Sequence, residues 1–277
     1  MEINEAILVT FSPTHTSKQV GEAIVRGTGC SKVTNIDLTL HAIEGCDIPK
    51  DSLTIIAVPV YGGHVAPLAL ERMKEIHANG SPAVLVVVYG NRAYEKALTD
   101  LDAFVSGLGF KVIAGATFVG EHSYSSEKYP IAVGRPDADD LAYAELFGEK
   151  IRSKVAAAED IEKLYGVDVT RIQRPRQPFF PLFRFLRKVV KLRKSGVPMP
   201  RTPMVDIEIC NHCGLCVKHC PTAAILKGDE CNTIPEKCIR CCACVKACQQ
   251  KARTFDTPFA ALLADCFERQ KEDRIII

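Results

Sequence analysis

The sequence predicts two domains: a doubly wound α/β domain built on a parallel sheet, then a small, cysteine-rich α+β domain. Three observations carry this. Strand-like and helix-like segments alternate through residues 1–165, the pattern of successive βα units. Two of the strand-like segments are nearly continuous apolar runs, as parallel strands covered on both faces require. Eight of the 13 cysteines fall into two copies of one spacing near the C-terminus. A length of 277 residues suits one large domain or two modest ones, and a hydrophobic share of 47% is ordinary for a globular chain.

Strands are expected at 5–11, 33–38, 53–59, 83–89 and 110–119, and helices at 17–27, 66–78, 94–107 and 139–165. In an open α/β sheet, ligands bind beyond the carboxyl ends of the strands. After the first strand comes "FSPTHTSK", which sets Ser12, Thr14, Thr16 and Ser17 at the mouth of a helix. This is either an ordinary capping loop or a phosphate site made of hydroxyls and free N–H groups. After the third strand stands "PVYGGHVAP" and after the fourth "YGNRAYE", each pairing an aromatic with glycine. Tyr61 and Tyr89 are suited to flank a planar ring, and Gly62, Gly63 and Gly90 let backbone approach it closely. A phosphate loop followed by two aromatic–glycine loops is what an FMN site requires. The segment "GEHSYSSEKYPIAVGRPDADD", residues 120–140, is long for a loop. Its His122, Tyr124 and Tyr129 are open to two readings: a lid over the flavin edge, which is preferred, or packing on the second domain.

The second domain carries the more specific signal. "CNHCGLCVKHC" and "CIRCCACVKAC" both read C-x2-C-x2-C-x3-C and lie 28 positions apart. Three cysteines at i, i+3 and i+6 wrap one tight loop, so their thiolates converge on one inorganic core. The fourth cysteine of such a run ligates the other cluster. Cys210, Cys213, Cys216 and Cys248 are therefore assigned to one 4Fe–4S cluster, and Cys238, Cys241, Cys244 and Cys220 to a second. Structural zinc prefers two separated C-x2-C knuckles, and disulfides need an oxidising compartment. Cys242 fits neither register. With Cys30, Cys46, Cys231 and Cys266 it is expected to be a small buried hydrophobe.

The spacing, with Pro221 after Cys220, resembles that of bacterial two-cluster ferredoxins; Gln249 stands after Cys248 where that family repeats proline. Residues 1–165 resemble a flavodoxin, which implies a flavodoxin-like sheet of order 2-1-3-4-5. "SPTHTS" matches that family's S/T-x-T-G-x-T phosphate loop, with His15 in place of glycine. The resemblance implies FMN held by Ser12, Thr14, His15, Thr16 and Ser17 at the phosphate. Pro59, Val60, Tyr61, Gly62 and Gly63 would form one ring-flanking loop, Tyr89, Gly90, Asn91 and Tyr94 the other, with Tyr124 over the edge. The whole is similar to flavodoxin–ferredoxin fusions of bacteria and archaea. Its expected domains are 1–165, a connector at 166–204, and 205–277.

The connector holds ten Lys or Arg and no acid between residues 171 and 201. "LFRFLRKVVKLRKS" reads as an amphipathic helix. Leu182, Phe183, Phe185, Leu186, Val189, Val190 and Leu192 form its apolar arc. Docking on a domain is preferred over a membrane-surface anchor or a site for an acidic redox protein. A closing helix packed on the ferredoxin is expected in "ALLADCFERQKEDRIII". No secretory leader is recognised and no apolar run reaches the roughly 18 residues of a membrane span, so a reducing cytoplasm, such as an anaerobe's, is expected. The function these features imply is electron transfer between FMN, two 4Fe–4S clusters and an external redox protein, with no nucleic acid involved. The alternative is a flavin-dependent reductase of a small substrate. A G-x-G-x-x-G dinucleotide fingerprint is missing, which argues against direct NAD(P)H oxidation.

Overall fold

The computed structural model describes residues 1–277. From the N-terminus run β1 (Glu5–Thr10), α1 (Thr16–Thr28), β2 (Lys32–Asp37), β3 (Cys46–Ile48), β4 (Leu53–Tyr61) and β5 (His64–Val65). Then come α2 (Pro67–Met73), β6 (Ile76–Ala78), β7 (Pro82–Tyr89), α3 (Ala97–Gly107), β8 (Lys111–Val119) and α4 (Ala138–Ala157). The remainder holds α5 (Phe179–Lys194), β9 (Met204–Val205), α6 (Leu215–Lys218), α7 (Ala243–Lys246), β10 (Arg253–Thr254), α8 (Pro258–Cys266) and β11 (Arg274–Ile276). The chain forms two compact units. Met1–Glu121, Gly134–Pro175 and Lys271–Ile277 make the first; His122–Val133 and Arg176–Gln270 make the second.

In the first unit the sheet runs β11-β8-β7-β4-β1-β2. Its five parallel strands, counted along the chain, lie in the order 2-1-3-4-5, the doubly wound order of flavodoxin-like sheets. β7 is buried throughout and β4 along its first six residues, which explains their unbroken apolar sequences. Alternate residues Leu8, Ile55, Val86 and Ala116 meet Val20, Ile24, Phe147 and Ile151 of α1 and α4 in one core. The two helices touch backbone to backbone: a β-carbon on Gly27 would sit 1.9 Å from the Glu145 carbonyl oxygen, and one on Gly148 would sit 2.1 Å from that of Ile24. Asp137 caps α4 through a reciprocal capping box with Asp140.

Three elements differ from their sequence expectation. The helix expected at 66–78 ends at Met73, and Ile76–Ala78 pairs in parallel with Cys46–Ile48. The helix expected to reach residue 165 stops at Ala157. Beyond it the Asp160 side chain accepts from the Lys163 N–H, a local turn that competes with helical bonding. The C-terminal apolar tail is no part of a closing helix on the second unit. As β11 it pairs antiparallel with β8, Ile275 opposite Ala116.

In the second unit α8 packs on α5, burying Phe185 against Phe259 and Phe267 with ring centroids 5.8 and 5.0 Å apart. Leu182, Val189 and Ile131 join that cluster. The apolar arc of α5 is thus divided. Phe183, Leu186 and Val190 are about half exposed beside it, and Arg184 and Lys188 pair with Asp265. No helix is long and apolar enough to cross a membrane.

Candidate cofactor sites

The duplicated cysteine segments fold as a pseudo-twofold pair. His212, Gly214 and Ala223 have positive φ of 53°, 74° and 48°. Their counterparts 28 residues on, Arg240, Cys242 and Lys251, have 57°, 60° and 54°. The hydrogen bonds repeat as well. Lys218 N–H donates to Gly214 O and Lys246 N–H to Cys242 O, both at 3.0 Å. Asp206 N–H donates to Ala252 O while Ile234 N–H donates to Ala224 O, both at 2.8 Å. The last pair cross-links the copies, each borrowing a partner from the other.

This symmetry brings the cysteines together in two quartets. Cys210, Cys213, Cys216 and Cys248 line one pocket. Cys220, Cys238, Cys241 and Cys244 line another. In each, three cysteines come from one loop and the fourth from the other copy. Backbone N–H groups are directed at the sulfurs: Val217 at Cys216, Arg240 at Cys238, Ala243 at Cys241, and Ala224 at Cys220 at 3.2 Å. Such amides stabilise negative charge on sulfur, so the donor set fits two thiolate-bound, anionic metal clusters. Burial pushes the Cys241 thiol up to about 12 and that of Cys244 up to about 11. A metal core held there would have to displace their protons. The first quartet is the more open, with Cys213 exposed.

Cys242 occupies the left-handed position that Gly214 holds in the first copy, capping α7 as Gly214 caps α6. It borders the second cavity, yet burial keeps its thiol far above the ordinary range. Cys231, expected to be a buried hydrophobe, is half-buried and clusters with Cys210 and His212, ligand atoms within 4.8 Å. That proximity crosses 21 residues and no short motif announced it. Glu230 accepts from the Gly228 N–H at 2.9 Å and pairs with His212 at 3.1 Å.

In the first unit, α1 begins at Thr16, and His15 caps it at φ 68°, the left-handed geometry for which glycine is usual. The Ser12 hydroxyl accepts from the Lys18 N–H at 3.1 Å. The Thr16 and Ser17 N–H groups, in the first turn, have no intrahelical acceptor. The Ser17 Oγ is buried with no hydrogen-bond partner. An orphaned hydroxyl at a helix N-terminus, beside the partly exposed Thr14 and Thr16, fits a single phosphate. Pro59, Val60 and Tyr61 end β4, and Tyr61 pairs with His64 of β5 across the two-residue Gly62–Gly63 turn. Gly62 and Gly63 have φ of 62° and 91°, which only glycine adopts at low cost. A β-carbon on Gly63 would stand 2.5 Å from the Glu95 carboxylate.

The other proposed ring-binding residues are engaged internally. Tyr89 and Tyr94 are buried edge to face, centroids 5.7 Å apart, and the Tyr94 hydroxyl donates to the Ile172 carbonyl at 3.5 Å. Beside the half-buried Gly90, the Asn91 Oδ1 accepts from the Lys271 N–H at 2.8 Å, tying down the segment that leads to β11. Tyr124 lies in the second unit, edge-on to Phe255 at 5.1 Å and to His122 at 5.0 Å, with its phenol pushed up to about 12 by burial. The preferred lid reading is thus corrected for this segment: an apolar ring finds its partner in Phe255. Lys246 donates to the Ser125 carbonyl, which anchors the same loop.

Comparison with known proteins gives one family match and several distant structural ones. Residues 203–226 match the 4Fe-4S binding domain family. An uncharacterised polyferredoxin-like protein of Methanocaldococcus jannaschii is 36% identical over 63 residues, 23% of this chain. The chain spans only 28% of that relative's length. Among solved structures, a flavodoxin from the domain Archaea aligns with 55% of this chain and 99% of its own at 15% identity and a TM-score of 0.37. A flavodoxin of Streptococcus pneumonia aligns with 54% and 99% at 16% identity and a TM-score of 0.38. Values this low add nothing to the fold, which rests on the strand order.

Proposed function

We propose that the chain is an electron-transfer protein that holds FMN in its first unit and two 4Fe–4S clusters in its second, and exchanges electrons with an external redox protein. The observation that carries this is the pair of cysteine quartets, each completed by a cysteine from the other copy and each with at least one amide directed at sulfur. Iron–sulfur clusters pass one electron at a time, whereas a flavin takes one or two, so a chain joining them acts as a wire with a store. The protein's own part is to hold, orient and bias. The α1 N-terminus with Ser12, Thr14, Thr16 and Ser17 would bind the FMN phosphate, and the Tyr61–Gly63 hairpin would offer one wall to the ring. The eight cysteines would supply thiolates. Basic residues of α5 suit an acidic partner surface.

Flavin released from anaerobically purified protein should chromatograph as FMN. Release of FAD would overturn the reading, since one phosphate cradle is present and no pyrophosphate fingerprint. Replacing Thr14 and Thr16 together by Val should weaken flavin retention about tenfold or more while leaving iron content unchanged, a loss of about 1.4 kcal/mol or more.

A further inference from the structure

The two copies differ at one buried position that faces both quartets. "CPTAAI" ends the first and "CQQKAR" the second, so Arg253 stands where the repeat has Ile225. Ile225 is 1% exposed and packs between Cys216 and Cys244, one cysteine from each quartet. Arg253 is 3% exposed and reaches the same two cysteines. Its Nη1 donates to Thr233 Oγ1 at 3.0 Å and lies 3.8 Å from Cys244 Sγ. Its Nη2 donates to the Glu230 carbonyl, and it hydrogen-bonds the Cys216 sulfur. The nearby Glu230 carboxylate is taken by His212 and the Gly228 N–H. None of Arg253's partners is a carboxylate.

A guanidinium withdrawn from water is costly unless an anion accompanies it. Here its hydrogen bonds go to hydroxyl, carbonyl and sulfur, and the nearby Glu230 carboxylate is bonded to His212 and the Gly228 N–H, so the charge it contacts directly is that of the cysteines. Four thiolates around a 4Fe–4S core leave a net negative charge, and each reduction adds one more. A fixed cation within reach of both sets of ligands favours the reduced form of each, the more strongly because the surroundings are of low dielectric. Resting on the two-cluster reading, we propose that Arg253 is a countercharge shared by the two clusters, which raises both reduction potentials above those that the repeat's own isoleucine would give.

The test is an EPR-monitored redox titration, with iron analysis, of the full chain and of Arg253→Lys, Arg253→Gln and Arg253→Ile. At full iron, the Gln and Ile variants should lower both potentials, each by about tenfold or more in the reduction equilibrium, about 59 mV for a one-electron couple. The Lys variant should stay nearer the parent. Potentials that match the parent in the fully loaded Gln and Ile variants overturn the proposal. Should those two lose iron while Lys keeps it, the need for a cation stands. Iron lost from Lys as well shows a role in shape and not in charge, and the proposal fails. A parent chain that lacks the iron of one quartet instead defeats the two-cluster reading, which the iron analysis reports separately.

Discussion

Cys242 holds a backbone conformation, φ 60°, that disfavours any β-carbon by about 1–2 kcal/mol. Its place in the repeat belongs to glycine, and its sulfur is not one of the eight that form the quartets. Replacing it by Ala keeps the strain and removes the thiol; replacing it by Gly removes both. The Gly variant should therefore be the more stable of the two by about 1 kcal/mol in anaerobic denaturant melts, with iron content unchanged in both. Iron lost from either would make Cys242 a ligand. Asp273 is a different kind of residue. Burial, with the neighbouring Asp140 carboxyl, pushes its own carboxyl up to about 7, although the Val119 N–H and Arg135 pull the other way. An unfolded aspartate titrates near 3.9, so this group favours folding below about pH 4 and loses that contribution as pH rises through 7. Asp273→Asn should match the parent near pH 4 and exceed it at pH 8 by up to about 4 kcal/mol in unfolding free energy. A parallel decline in the variant would show that another group is responsible. The cysteine registers were legible in sequence because a motif fixes them within eleven residues. The Asn91–Lys271 and Asp273–Val119 bonds span 180 and 154 residues, and no local pattern encodes them.

Among the elements, α5 shows how far periodicity reaches. Its helical spacing and amphipathic character were readable, but not which part of the apolar arc is covered. Phe185 is 6% exposed between Phe259 and Phe267, whereas Phe183 is 51% exposed. Phe185→Ala should destabilise the second unit by about 3–5 kcal/mol, the cost of a large buried cavity. Phe183→Ser should stay within about 0.5 kcal/mol, as surface changes do. Thermal unfolding followed by loss of cluster absorbance would check both, and equal effects would mean that α5 lies otherwise. The parallel strands were legible because their burial on both faces writes itself as long apolar runs. β11 was not, because three isoleucines after an arginine show no alternation, and pairing with β8 is a long-range fact. The 120–140 segment was recognised as unusual by its length alone. What Tyr124 touches depended on Phe255, 131 positions away.

At the scale of the molecule, each unit draws on sequence-distant segments: the first recovers the last seven residues, and the second takes in residues 122–133. The expected boundaries at 165 and 204 divide the chain into contiguous stretches and so do not contain this exchange, because motifs and alternating elements are read along the chain and not across space. The cofactor content is the property on which everything else depends. If each quartet holds one 4Fe–4S cluster, anaerobically reconstituted protein should carry about eight iron and eight acid-labile sulfides per chain. Half that content after complete reconstitution, or zinc in place of iron, would contradict the two-cluster electron-transfer assignment.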